Sequence, residues 1–298
     1  MARRLPVVWG HVSSQTRSAS FARMRVSLPI SRRRPAPLAA LIVAASFAYG
    51  ACDAGRTDRD DSGAPNGEAL AATPAQATPY TVRALESSGR VSGTIEIDGE
   101  PPPDSVIQPS VDQLVCGAGY TRPGIERRGN RPAGVIVWIE GIRSGKPLPL
   151  ERRFEIANDR CTLVPEIQAA IAGGTLNVRN RDALEHRTRI MRGEGEALAM
   201  IRETDEGQVV PNEHVLAKPG VLELSCAAHP WTHAWIAVFD HPYYSVSGAD
   251  GAFVIDSVPP GRYAVRLWHP RLGAAMDSVT VDPGVTSGVT LRPKAAAP

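Results

Sequence analysis

The run Cys226-Ala227-Ala228-His229-Pro230-Trp231 places a thiol and an imidazole with two residues between them, directly after the alternating Leu222 and Leu224. On a tight loop at the end of a strand, both side chains can face one ion. A second imidazole from elsewhere in the chain would complete the set. His186 fits, because it follows the alternating Leu176 and Val178 and the polar Asn180-Arg181-Asp182. Two imidazoles and one thiolate in a trigonal plane are the ligands of electron-transfer copper sites. A β scaffold that keeps this geometry alike in both oxidation states lets an electron pass with little rearrangement. Two blander readings stand beside this one. Cys226 can be a small buried residue and the histidines structural, or the same three side chains can hold zinc or another ion without redox cycling.

The elements that must position these groups read as strands. Val91, Gly93, Ile95 and Ile97 alternate with polar residues, and Asp98-Gly99 supplies a turn. Val135 to Ile139 and Trp235 to Phe239 are apolar runs of strand length. A second rhythm starts at His241: strands are expected at Tyr243 to Val246, Phe253 to Ile255, Tyr263 to Trp268, Ser278 to Val281 and Val289 to Leu291. Gly248 to Gly251, with Asp250-Gly251 as a hairpin turn, and Pro259-Pro260-Gly261 punctuate them. Short strands at this spacing predict an all-β chain of sandwiches or barrels. A short helical turn over Glu166 to Ala172 is the one helical expectation.

The amino terminus reads as a targeting segment. Residues 1–52 hold eight Arg and neither Asp nor Glu, so the formal charge of +2 conceals a remainder of 25 basic against 31 acidic residues, a net charge of −6. A mildly acidic body offers no basic face for nucleic acid. Arg32, Arg33 and Arg34 precede an apolar run from Pro37 to Ala51, as in a bacterial export signal, with Met24 as an alternative start. The run is short for a membrane span. Gly50-Ala51-Cys52 is the pattern of a lipoprotein processing site with Cys52 lipidated, although Tyr49 stands where an aliphatic residue is usual. Residues 53–87 are rich in Ala, Thr, Pro, Asp and Ser and read as a flexible tether.

Exported proteins meet an oxidising compartment, where exposed thiols pair. Of the four cysteines, lipid on Cys52 leaves three, and metal ligation gives the odd one, Cys226, a reason to stay free. Cys116 and Cys161 are then read as a structural disulfide, worth about 3–4 kcal/mol for a loop of this length. Extra metal thiolates are the alternative for that pair, without the support of CxxC spacing.

The Asn180-Arg181-Asp182 stretch with His186, together with Cys226 to Trp231, resembles a cupredoxin with the short, amicyanin-like loop Cys-x-x-His-x-x-Met. The longer stretch through Asp240-His241-Pro242-Tyr243-Tyr244, Asp250-Gly251, Val258 to Tyr263 and Trp268-His269 resembles bacterial exported proteins that join a cupredoxin to a carboxypeptidase-regulatory-like, or transthyretin-like, β module. The resemblance covers roughly residues 88–293. It implies a cupredoxin Greek-key β-sandwich over 88–240, a small antiparallel sandwich over 241–293, a tail over 294–298, and one mononuclear copper ion on His186, Cys226 and His229. The chain departs from the pattern at two places. Thr232 stands where the axial Met would fall, and Arg187 stands where an Asn commonly ties the two ligand loops together. His233 is next to Thr232, but on a strand it would point to the other face.

No Ser-His-Asp order, HExxH, phosphate loop or nucleotide fingerprint is present, nor the His-x-His pairs that a trinuclear copper cluster needs. The chain is therefore read as a non-enzyme. Three function classes follow: an electron carrier at the cell envelope with a redox partner protein, a copper-handling lipoprotein that does not cycle the ion, or a metal-free adaptor. His214, His241 and His269 have no assignable partner, and Trp231 and Trp235 are read as packing residues with an electron path as the alternative.

Overall fold

The computed structural model describes residues 79–193 and 195–294. The expected signal segment, Cys52 and the first part of the tether lie outside the described residues. What is described is all β apart from one helical turn, Gln113–Cys116.

Two sandwiches carry the chain. In the first, a five-stranded sheet runs in the order Ile167–Ile171, His233–Phe239, Gly220–Cys226, His186–Arg192, Glu196–Glu203. A four-stranded sheet faces it in the order Thr162–Val164, Arg153–Asp159, Thr175–Asn180, Val209–Asn212. Period-two alternation does the sorting. Leu222 and Leu224 turn inward with Cys226, Ile190 turns inward with His186 and Thr188, and Leu176 and Val178 turn inward with Asn180. The apolar members meet Ile156, Leu163, Ile201 and Ile236 in one core, so the donor residues sit at the end of an apolar column.

The expected helical turn near Glu166 is a strand instead. Ile167–Ile171 pairs in parallel with Trp235–Phe239 from Ile167↔Trp235 to Ile171↔Phe239. A run of five residues is too short to hold a helix by itself, and the sheet edge satisfies the backbone groups that face Trp235–Phe239.

The second sandwich corrects the division expected at residue 240. Its three-stranded sheet has Gly89–Ile95 in the centre, antiparallel to Ala252–Val258 and parallel to Thr286–Leu291. Its four-stranded sheet inserts Ile136–Ile139 between Tyr244–Val246 and Gly261–His269, with Gly273–Val281 at the edge. Residues 241–293 therefore lack the central strand of one sheet and an inner strand of the other. Both come from before the first sandwich. Val91, Ile95, Val137 and Ile139 accordingly pack with Phe253, Val265, Leu267 and Leu291.

The expected tether also ends earlier than residue 87. Thr81–Val82 pairs with Ser144–Gly145, and the Tyr80 hydroxyl donates to the Lys146 carbonyl at 2.7 Å. At the other end, Lys294 bridges to Asp98. Between Gly89–Ile95 and Ile136–Ile139 the chain leaves the second sandwich. This excursion carries Ser105–Ile107 paired with Tyr120–Arg122, and the helical turn that ends at Cys116. It reaches the donor residues of the first sandwich.

Candidate metal centre

Strand register explains why the three expected ligands meet. Cys226 ends its strand opposite Thr188, and Thr188 lies two residues beyond His186 on the neighbouring strand. The loop from Cys226 to the next strand then turns back so that the Thr232 amide reaches the His229 carbonyl at 3.1 Å. Ala227 donates its amide to the Arg187 carbonyl at 3.0 Å. The main chain thereby makes the tie between the ligand loops that an Asn side chain was expected to supply, while the Arg187 side chain is exposed and bonds Glu185.

Nδ1 of His186 and Nδ1 of His229 are 3.1 Å apart. The Cys226 sulfur is 3.4 Å from His229 Nδ1 and 3.7 Å from His186 Nδ1. Both histidines are fully buried and Cys226 is 3% exposed. Three atoms in one plane around an ion, with bonds of about 2.0–2.1 Å to nitrogen and 2.3 Å to sulfur, stand about 3.5–3.8 Å from one another. The observed set is slightly tighter, and its donor chemistry fits a copper-type ion.

The outer nitrogens decide which way the lone pairs face. His186 Nε2 lies 2.9 Å from Asp182 Oδ2, and His229 Nε2 lies 3.2 Å from Asp112 Oδ2. A carboxylate at Nε2 draws the ring proton there and leaves the Nδ1 lone pair pointing inward. With a cation present, two lone pairs and a thiolate would converge on one point. Asp182 is itself held, accepting the amides of Arg160 at 2.7 Å and Cys161 at 2.9 Å. Asn180 shapes that loop, accepting the Asp182 amide at 2.9 Å and donating to the Leu184 carbonyl at 2.7 Å. Asp112 adopts a left-handed backbone, φ 52°, uncommon for a residue with a side chain.

The electrostatics follow. Burial works to raise the Cys226 thiol, but hydrogen bonds from His186 and His229 outweigh it and bring the pKa down to about 5. Burial likewise opposes charging of His186, yet hydrogen bonds to Asp182 and Cys226 prevail and hold it up to about 9. Both shifts favour the charged forms, His186 as imidazolium and Cys226 as thiolate.

Thr232, at the expected axial position, is 2% exposed, and its hydroxyl accepts the Leu163 amide at 2.8 Å. The side chain therefore joins the ligand loop to the opposite sheet. His233 faces away: it lies 3.3 Å from Glu223 and stacks on Trp235. Trp231 covers His229 with ring centroids 5.2 Å apart and donates its indole N–H to the Cys161 carbonyl at 3.2 Å. Cys116 and Cys161 form a disulfide, and Cys226 is free.

Three residues escaped sequence reasoning as functional groups. Asp182 lay inside a motif but without a role. Asp112 is 117 residues from His229 in the chain, and no local pattern could link them. Glu203 sits opposite His186 in the ladder, fully buried, with neither carboxylate oxygen hydrogen-bonded. Burial raises its pKa to about 7. The inward alternation of Ile201 and Glu203 was a readable signal for it.

The chain matches no family profile and no curated protein. Among solved structures it is similar to a purple cupredoxin from Nitrosopumilus maritimus, at 19% identity over 29% of this chain and 99% of that one, with a TM-score of 0.25. It is similar to dithionite-reduced auracyanin from Roseiflexus castenholzii, at 15% identity over 30% of this chain and 99% of that one, with a TM-score of 0.27. A reduced Cu(I) form of an amicyanin variant gives 19% identity over 30% of this chain and 86% of that one, with a TM-score of 0.26.

Proposed function

We propose that this chain is an electron-transfer protein that holds one copper ion on His186, Cys226 and His229 in a cupredoxin-type sandwich, alongside a carboxypeptidase-regulatory-like module. The observation that carries the reading is the inward convergence of two Nδ1 atoms and the Cys226 sulfur in a buried pocket, with both outer nitrogens beside carboxylates. When bound, copper supplies a one-electron couple. The chain's own residues do the rest. Asp182 and Asp112 orient the rings, the Thr188–Cys226 ladder fixes the sulfur, and burial keeps water from it. The reading of residues 1–52 as an export signal with lipid on Cys52 would place the protein at the cell envelope, facing a redox partner protein.

A second reading is copper binding or delivery without redox cycling. It draws support from the full burial of His229 behind Asp112 and Trp231, which leaves that ring no exposed edge toward a partner.

The test is to load the whole chain with Cu(II) and record its visible and EPR spectra beside Cys226→Ser. An intense thiolate-to-copper band at one ion per chain, lost in the variant, supports the site. A reversible potential then separates electron transfer from storage. No band and no tight copper would overturn both readings and leave a metal-free binding module.

A further inference from the structure

A second group of donors also includes His229. The Sγ atoms of Cys116 and Cys161 and a ring nitrogen of His229 lie within 4.8 Å of one another, and all three residues are buried. In the oxidised protein the two sulfurs are bonded to each other and offer no thiolate. We propose that reduction of this disulfide creates a second cation site, made of Cys116, Cys161 and His229, for a soft monovalent ion such as Cu(I). The two sets share His229 and would compete for that ring, but the second uses neither Cys226 nor His186.

The chemistry balances with a dithiol as reductant. Its two sulfurs close into a disulfide, and its two electrons and two protons pass to Cys116 and Cys161, which become thiols. Uptake of the ion forms two metal–sulfur bonds and releases two protons to solvent. Two thiolates with one imidazole favour a soft cation over Mg²⁺ or Ca²⁺.

The scaffold holds one sulfur and frees the other. Cys161 is fully buried, its amide donates to Asp182 at 2.9 Å, and its carbonyl accepts from Trp231 at 3.2 Å. Neither bond involves the sulfur. Cys116 ends a single helical turn, fastened by the amides of Val115 and Cys116 on the Asp112 carbonyl and of Gly117 on that of Gln113. One turn has little stability of its own. It can yield the roughly 2 Å that separates two bonded sulfurs from two sulfurs each about 2.3 Å from a shared ion. Asp112, which engages His229, is 51% exposed at its side chain and lies on the same turn, so it moves with Cys116. Reduction would thus release His229 from its carboxylate while offering it two new thiolate neighbours.

The experiment uses the whole chain carrying Cys52→Ser and Cys226→Ser, so that Cys116 and Cys161 are its only cysteines. It is reduced with dithiothreitol, freed of reductant without oxygen, and titrated with Cu(I) against a chromophoric chelator. The expected result is one tight ion per reduced chain and none per oxidised chain, with near-UV circular dichroism preserved. His229→Ala in the same background should weaken binding at least tenfold. No tight Cu(I) in the reduced chain would overturn the proposal. So would equal affinity with and without His229, which is what a dithiol on a loosened loop gives. The thiolate-to-copper band of the oxidised wild type reports on the first set separately.

Discussion

His186 and His229 present their Nδ1 atoms to each other at 3.1 Å, although 43 residues separate them in the chain. Two imidazoles at that distance share at most one proton between those atoms. Each already has an acceptor for a proton at Nε2, so the facing positions are left as lone pairs unless a cation or a proton lies between them. Without a cation, a proton at one of the two Nδ1 atoms takes that place, with Asp182 and Asp112 beside the outer nitrogens.

This makes Asp182 the residue to test for ligand positioning. Asp182→Asn keeps one oxygen for the Arg160 and Cys161 amides but gives up the charge that holds the His186 proton at Nε2. Metal affinity should fall about 10–100-fold, read by chelator competition, and folding stability should fall by about 1–3 kcal/mol. Asp112→Asn should cost less affinity, because that carboxylate is half exposed and its contact is longer. Equal losses at both positions, or none at Asp182, would refute the assignment.

The metal-free protein should report its ion pair through pH. Cys226, lowered from 9.0 to about 5, contributes stability that is present above 9.0 and is lost as pH falls through about 5. His186, raised from 6.5 to about 9, contributes stability that is present below 6.5 and is lost as pH rises through about 9. Between 6.5 and 9 the two slopes oppose each other, and below 6.5 the thiol's slope acts alone. The wild-type advantage over Cys226→Ser should therefore shrink from pH 6.5 toward 5 in denaturant titrations. An advantage that is flat across that range would show that no thiolate is held.

How much of this was legible depends on distance along the chain. The candidate triad was readable because Cys226 and His229 share one loop and His186 follows a recognisable strand and turn. The strands were legible too, since Val91, Gly93 and Ile95 alternate plainly. Their partners were not. Gly89–Ile95 bonds to strands some 160 and 200 residues later, and alternation reports which side of a strand is buried without saying against what. Asp112 was invisible for the same reason, and the helical expectation at Glu166 failed because a parallel edge partner overrode local preference.

Glu203 offers a prediction of the opposite sign. A carboxyl whose pKa is raised to about 7 stabilises the fold while protonated, fully below its ordinary value, and loses that contribution as pH rises through 7. His186 and Cys226 are the charged groups beside it. Glu203→Leu removes a buried, unbonded carboxyl and should stabilise the protein by about 1–3 kcal/mol at pH 8, with little gain at pH 4. The difference between the two stability profiles should have its slope between those limits. A Glu203→Leu protein that is weaker at pH 8 would mean that the carboxyl has a partner.

Arg271 provides a contrast, a residue that should govern stability and leave the metal set alone. From the second sandwich its guanidinium donates to the Pro123 and Gly124 carbonyls at 3.2 and 2.6 Å, and to Glu166 at 2.7 Å. Those acceptors lie on the excursion and at the head of the edge strand Ile167–Ile171, whose preceding carbonyl, that of Glu166, accepts the Trp235 amide at 2.7 Å. One planar fork therefore joins three segments that the chain order keeps apart. Arg271→Ala should cost about 1–3 kcal/mol, because two partly buried carbonyls and a carboxylate lose their donor. Arg271→Lys should recover less than half of that, since an ammonium cannot reproduce the fork. Copper stoichiometry and the thiolate band should match the wild type in both variants under native conditions. A variant of normal stability that binds less copper would instead place Arg271 in the path that positions Cys226 and His229.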